Sequence, residues 1–325
     1  MMAAPRVTPI GFESLGVRSM CTFIETADVR VLVDAGVALG PRFRKLPHPR
    51  EYLARNICRA KIREFAAKAD VITVSHYHND HHTPNYIETV WLGSSSEESE
   101  QIYQDKIVLV KDIRNAINFS QRRRGWMFQQ FVKKIGKKCE VADGRVFEFG
   151  GTKLKFSEPV PHGEVGGELG WVLMLMVECD GGRILHASDV QGPMSKETTR
   201  AILKEKPDLV ILGGPPLYLE GVKVETLSIS MGLHNAARIA SGVSTVIFDH
   251  HVLRSENWRD QVRIVYDAGA EAEHRVVMAS EYAGTESMLL ESMREQLYLE
   301  EPPSKEFLKW TKLRRDKRRV GLPPI

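Results

Sequence analysis

The stretch SHYHNDHHTPNY (75–86) sets His76, His78, Asp80, His81 and His82 within seven positions of a chain that has 11 histidines in 325 residues. Imidazole is the commonest neutral metal ligand, and carboxylate is its frequent companion at zinc, iron or manganese. On an extended segment His76 and His78 point the same way. A turn at Asp80 and His81 would aim that pair at a second position a few ångströms off. HxHxDH therefore reads as two half-filled coordination spheres. A catalytic zinc commonly takes three protein ligands and keeps a place for water, so further donors must come from elsewhere.

The chain offers them where later apolar segments run out. His162 lies in EPVPHGE, Asp189 follows RILHAS, and His250 and His251 end STVIFDHH. Singly, His162 would be a loop histidine and Asp189 a capping or turn residue. Beside the histidine loop they complete a donor set. Its last member is His250, favoured because it directly ends its strand, or His251 close behind. His82 and His186 read as structural.

These donors need rigid elements behind them. RVTPIGFESLG, SMCTFIET and VRVLVDAG read as early strands, and residues 50–69 as a helix burying Leu53, Ile57, Ile62 and Phe65. Val71 to Val74 form a buried strand whose end releases the histidines into a loop, the usual place for functional residues. GSSSEESEQ (93–101) reads as a polar, mobile loop. Two hairpins follow, turning at Gly150-Gly151 and at Asp180-Gly181-Gly182. Helices near 195–205, 229–241 and 255–268 then alternate with the strands DLVILGG, STVIFDHH and RVVMAS. No internal repeat is present, and strands early with helix–strand units late suggest layered sheets with helices outside. A domain over residues 1–300, with a basic helical insert at about 115–140, is expected to precede a basic tail at 301–325.

Residues 121–138 carry seven basic residues (Arg122, Arg123, Arg124, Lys133, Lys134, Lys137 and Lys138) and no acid, with Trp126, Phe128 and Phe131 interleaved. Such a segment could bind phosphates and stack on bases. The plainer reading is an amphipathic helix that buries Trp126, Phe128, Phe131, Val132 and Ile135 and leaves a solvated basic face. Arg122, Arg123, Arg124 and Trp126 are the candidate substrate contacts here. Tyr218, in the rigid turn ILGGPPLYLEG, is another.

A formal net charge of +3 says little about partners, so local clusters must speak. The four cysteines form no CxxC pair and read as reduced cytosolic residues. The N-terminus lacks the pattern of a secretory signal, and GWVLMLMVEC is too short to span a membrane. A cytoplasmic protein with no membrane partner is expected.

VLVDAG with Asp34, SHYHNDHH, PHG, HASDVQG and FDHH, in this order over roughly residues 7–280, resemble the metallo-β-lactamase superfamily of metal-dependent hydrolases, and a largely archaeal branch of it. The resemblance implies a four-layer αββα sandwich, two mixed β-sheets flanked by helices. It implies that His76, His78 and His162 hold one divalent ion and that Asp80, His81 and His250 hold the other. Asp189 would bridge them, with Asp34 and His251 supporting from outside. Zinc is the first expectation for both ions, and the ligand set also accommodates manganese or iron. Two such ions lower the pKa of a bridging water and polarise the attacked group, so the catalytic carboxylates would be Asp80 and Asp189. The interval from Asp189 to His250 leaves no room for the inserted domain of β-CASP nucleases, and the glutamate-containing pattern of flavodiiron proteins is absent. The expected activity is hydrolysis of a phosphodiester or nucleic acid. A lactonase or other carboxylic-ester or thioester hydrolase is the alternative, and a nucleic-acid-binding protein with a structural metal stands third. The expected partner is nucleic acid or a phosphorylated small molecule, and a homo-oligomer is left open.

Overall fold

Period-two alternation along short apolar segments builds two sheets that share one inner face. The structure, a computed structural model, describes residues 4–325. The first sheet holds β1 (Arg6–Gly11), β2 (Cys21–Glu25), β3 (Arg30–Val33), β4 (Val71–Val74), β5 (Ile107–Val110) and β6 (Lys138–Val141) in that order. Its first two pairings are antiparallel and the rest parallel. The second sheet contains β7 (Val146–Phe149), β8 (Thr152–Phe156), β11 (Leu175–Cys179), β12 (Gly182–Ser188), β13 (Leu209–Gly213), β14 (Thr245–Asp249) and β15 (Arg275–Val277). It is antiparallel up to β12 and parallel beyond it. A two-stranded ribbon of β9 (Val160–Pro161) and β10 (Trp171–Val172) sits apart from both.

Val31, Val33, Val71 and Leu109 of the first sheet meet Leu175, Val177, Ile184, Ile211 and Ile247 of the second in the central core. Their neighbours Leu32, Ile72 and Val108 turn outward under helices α1 (Pro49–Lys68), α2 (Ser96–Tyr103) and α3 (Phe119–Ile135). On the second sheet Leu185, Val210, Val246 and Phe248 turn outward into the core shared with α4 (Lys196–Lys204), α5 (Thr226–Ala240), α6 (Trp258–Gln261) and α7 (Arg263–Glu271). The result is the four-layer αββα sandwich. Each fully buried aliphatic side chain contributes roughly 1.5–3 kcal/mol, and residue-by-residue alternation lets every central strand contribute to two cores.

Several elements differ from their sequence reading. In α1, Leu53 and Ile57 are half exposed, while Tyr52, Arg55, Cys58, Arg59 and Ile62 are buried. The buried stripe admits arginines because their guanidinium groups donate to loop carbonyls at Thr89, Val90, Leu92 and Val37. Residues 96–103 are helix, not loop, for Ser95 caps Glu98 N and Glu97 and Glu98 occupy the favourable first turn. In α3, Phe128 and Val132 are buried, but Trp126 is 55% exposed, because Gly125 takes the buried position against Tyr77. The chain after residue 301 carries two short helices. Past α8 (Ala279–Tyr282) and α9 (Arg294–Glu300), α10 (Lys305–Thr311) buries Phe307 and Trp310 edge-on against Tyr52 of α1. Its successor α11 (Arg315–Val320) is tied down by Thr89 Oγ1, which contacts the carbonyls of Arg318 (2.9 Å) and Gly321 (2.8 Å). No helix is long and apolar enough to cross a membrane among the described residues.

Candidate metal centre

The C-terminal ends of the parallel strands in both sheets face one region. Asp34 follows β3, Ser75 to His81 follow β4, Asp189 follows β12 and His250 follows β14. Asp34, Ser188 and His250 adopt φ of 52°, 58° and 70°. Side chains rarely take this left-handed conformation, and it persists where surrounding contacts over-determine it. Gly36 serves the same end by close approach, since a Cβ there would collide with the backbone of His81 and His82.

Eight donors converge. His76, His78, His162 and Asp189 form one group whose ligand atoms lie within 4.8 Å of one another, and Asp80, His81 and His250 form a second. Asp189 Oδ2 lies 2.9 Å from His162 Nε2 in the first group and 3.3 Å from His250 Nε2 in the second, so it stands between the two. His251 groups with Asp189 and His250 but not with Asp80 and His81. His82 lies outside both groups and its Nδ1 meets the carbonyl of His78, while His186 Nε2 meets that of Met20.

The outer hydrogen bonds settle which ring nitrogen faces inward. His81 Nδ1 lies 2.8 Å from Asp34 Oδ2 and His250 Nδ1 lies 2.8 Å from Glu13 Oε2, and since a carboxylate only accepts, each ring donates from Nδ1. Ser75 Oγ donates to Asp34 (2.6 Å), so it accepts from His76 Nδ1 at 2.9 Å. One buried carboxylate, Asp34, thus orients two rings, one directly and one through a serine. The inward Nε2 atoms of His76, His81 and His250, both nitrogens of His162 and Asp189 Oδ1 are buried without hydrogen-bond partners among the described residues. Unpaired buried polar atoms are costly. Gathered in two groups, they fit divalent cations bound by imidazole and carboxylate.

The electrostatics differ between the two groups. Burial, then repulsion from His81, His78 and His162, pushes His76 well below the ordinary histidine range, which leaves it neutral and ligand-ready. Burial, then the proximity of the His162 ring, does the same to His78. Burial opposes ionisation of Asp189, but His162, His251 and His250 outweigh it and hold its carboxyl well below the usual range. His250 is raised against its burial by Glu13 and Asp189.

A second chain of donors supports Asp189 from behind. Arg254 donates from Nε to Glu13 (2.6 Å) and from a terminal nitrogen to Tyr218 Oη (3.1 Å). Tyr218 Oη lies 3.3 Å from His251 Nδ1, and His251 Nε2 lies 3.0 Å from Asp189 Oδ2. Because the carboxylate accepts, His251 donates from Nε2 and its Nδ1 accepts from Tyr218. Tyr218 is therefore engaged on both sides of its hydroxyl, with the Arg42 guanidinium 4.4 Å from its ring centre. Its turn suggested a substrate contact; in the structure its hydroxyl is shared between Arg254 and His251.

A cleft of about 1050 Å³ opens beside His78 and Asp80. Of the basic run, Arg123 lines it, together with Arg18 and Arg318. Arg122 instead points toward the Arg114 carbonyl, and Arg124 is spent on the Tyr77 carbonyl at 2.6 Å. Trp126 is not part of the cleft wall; Trp91 is. Sequence reasoning missed Glu13, Ser75, Ser188 and Arg254. Ser75, at the very end of an apolar strand and next to the first histidine, carried a local signal. Glu13 and Arg254 carried none.

This fold and donor cluster define a class. The model of the beta-lactamase superfamily domain matches residues 17–241. Within that superfamily the chain belongs to the archaeal UPF0282 proteins. It is 43% identical to the UPF0282 protein of Methanopyrus kandleri over 91% of this chain and 100% of that protein. Its identity to the one from Thermococcus gammatolerans is 40%, over 91% of this chain and 96% of that protein. Among solved structures it is similar in fold to CmlA, a diiron β-hydroxylase from Streptomyces venezuelae, with a TM-score of 0.50 and 13% identity over 86% of this chain and 53% of that one.

Proposed function

We propose that the chain is a hydrolase that holds two divalent metal ions, zinc first, and cleaves phosphodiester bonds, those of nucleic acid included. His76, His78 and His162 would hold one ion, Asp80, His81 and His250 the other, with Asp189 between them. When bound, such ions lower the pKa of water and act as Lewis acids on the attacked group. The chain's own residues supply the rest. Asp34 and Glu13 fix the imidazole tautomers, and the relay from Arg254 through Tyr218 and His251 holds Asp189 in one orientation.

The choice of a phosphodiester rests on one observation: the cleft that reaches His78 and Asp80 carries three arginines drawn from three separate parts of the chain. Guanidinium groups favour phosphate and other planar or tetrahedral oxyanions. The test is turnover of bis-nitrophenyl phosphate, short RNA and DNA, and a lactone panel with added zinc or manganese, alongside metal content by mass spectrometry. Two equivalents of metal and phosphodiester turnover are expected. Turnover of lactones with none of any phosphodiester would overturn the substrate class. Salt-sensitive RNA binding without any turnover would make the chain a binding protein with a structural metal.

A further inference from the structure

Helix α11 reaches the cleft through one residue. Arg318 of α11 lines it together with Arg18, which follows β1, and Arg123 of α3. The three differ in what they already hold. Arg18 forks onto Glu291 with two contacts of 2.6 Å and lies flat against Gly40, so its charge is met. Among the described residues neither Arg123 nor the Arg318 side chain has a carboxylate partner, and the buried Arg318 Nε has no hydrogen-bond partner. A buried guanidinium nitrogen without an acceptor is costly. Nor is the placement of Arg318 loose. Thr89 Oγ1 grips the backbone of Arg318 and Gly321, Arg55 grips the carbonyl of Thr89, and Trp310 anchors the preceding helix on Tyr52. The cleft wall from Glu88 to Leu92 and the carboxy-terminal segment are thus one braced unit on α1. Glu88, on the same wall, turns one carboxylate oxygen into its own loop at Trp91 N and Leu92 N.

We infer that Arg318 and Arg123 form a subsite for a second anionic group of the substrate, a phosphate outside the bond being cleaved. This rests on the phosphodiesterase reading above and narrows it: the preferred substrate is a phosphodiester that carries a further phosphate, such as a nucleotide chain with a phosphorylated end. The carboxy-terminal segment is then a specificity element of the catalytic domain. Arg18, neutralised by Glu291, contributes the frame and little of the selectivity.

The experiment compares a thymidine dinucleotide bearing a 5′-phosphate with the same dinucleotide lacking it. Calorimetric titration of the metal-free protein is expected to show about tenfold tighter binding of the phosphorylated form, the gain of one charge-assisted contact. Arg318→Ala and Arg123→Ala are each expected to bring the ratio close to one, and Arg318→Lys to restore part of it. With metal added, KM for the phosphorylated dinucleotide rises in Arg318→Ala by more than KM for the dinucleotide lacking the 5′-phosphate. The urea midpoint of Arg318→Ala stays unchanged, because the segment is held by backbone carbonyls and by Trp310. Equal binding of the two dinucleotides by the unaltered chain, or a ratio that survives Arg318→Ala, would overturn the subsite. Absence of all phosphodiester turnover would sink the reading above, and the binding ratio would still decide this one.

Discussion

Residues 76–81 reach the cleft through His78, Asn79 and Asp80 and residues 122–126 through Arg123, yet only the first segment converges its side chains on one site. In the loop after β4, each turn of the backbone is fixed by an outside partner. Asp34 holds His81 directly and His76 through Ser75, and Gly36 lets the loop backbone lie against β3's exit. In α3, three consecutive arginines leave the helix about 100° apart, so no single surface can collect them. Arg123 meets the cleft, Arg124 caps the Tyr77 carbonyl, and Arg122 faces away. Convergence of like donors takes a loop braced on all sides, whereas a helix distributes its charges around its axis.

The sharpest way to break this contrast is at the residue between the two donor groups. Asp189→Ala is expected to remove metal-dependent phosphodiester hydrolysis by more than the roughly 10–100-fold that losing an outer partner costs, with circular dichroism unchanged. Near-normal turnover in that variant would mean Asp189 does not serve both groups. Next, Asp34→Asn and Glu13→Gln keep size but lose the acceptor charge that orients His81 and His250. Competition titration with a chelator should show metal affinity weakened about 10–100-fold, and wild-type affinity in both variants would deny the bracing role.

Smaller effects probe how the loop is seated. Gly36→Ala forces a methyl into the backbone of His81 and His82, so urea unfolding should register a loss of about 1–3 kcal/mol. An unchanged midpoint would show that the loop can move away freely. At the helix, Arg124→Ala forfeits a part-buried hydrogen bond worth about 1 kcal/mol, readable in the same melt. Arg122→Ala and Trp126→Ala should each stay within about 0.5 kcal/mol and leave KM for bis-nitrophenyl phosphate unaltered. A large KM rise in either would restore the basic run as a collective binding surface.

The donor cluster was legible in part because its densest portion is local. Four of the eight donors fall within six residues at a strand end, and apolar runs mark the strands that deliver Asp189 and His250, while His162 follows a strand of two residues. The doublet His250–His251 was ambiguous on paper. In the structure His250 sits at φ 70° with its Nδ1 on Glu13, which turns Nε2 toward Asp80 and Asp189, while His251 faces Asp189 and Tyr218. A single left-handed residue rotates neighbouring side chains apart, and no composition or spacing announces it. The helical reading of α3 held, but the burial of Trp126 did not, because a glycine beside it fits the Tyr77 ring more closely than an indole could.

By itself, the sequence determined the local chemistry: which segments alternate into strands, which strand end releases imidazoles two residues apart, and which residue types can bind a cation. These depend on interactions within a few residues of one another. Tertiary structure decided everything that needs distant parts of the chain to meet. Glu13 reaches His250 across more than two hundred residues, Arg254 braces Tyr218, and Arg318 lines the same cleft as Arg18 and Arg123. Hydrogen bonds and charges act over a few ångströms, and only the packing of two sheets on a shared core sets which remote residues come that close.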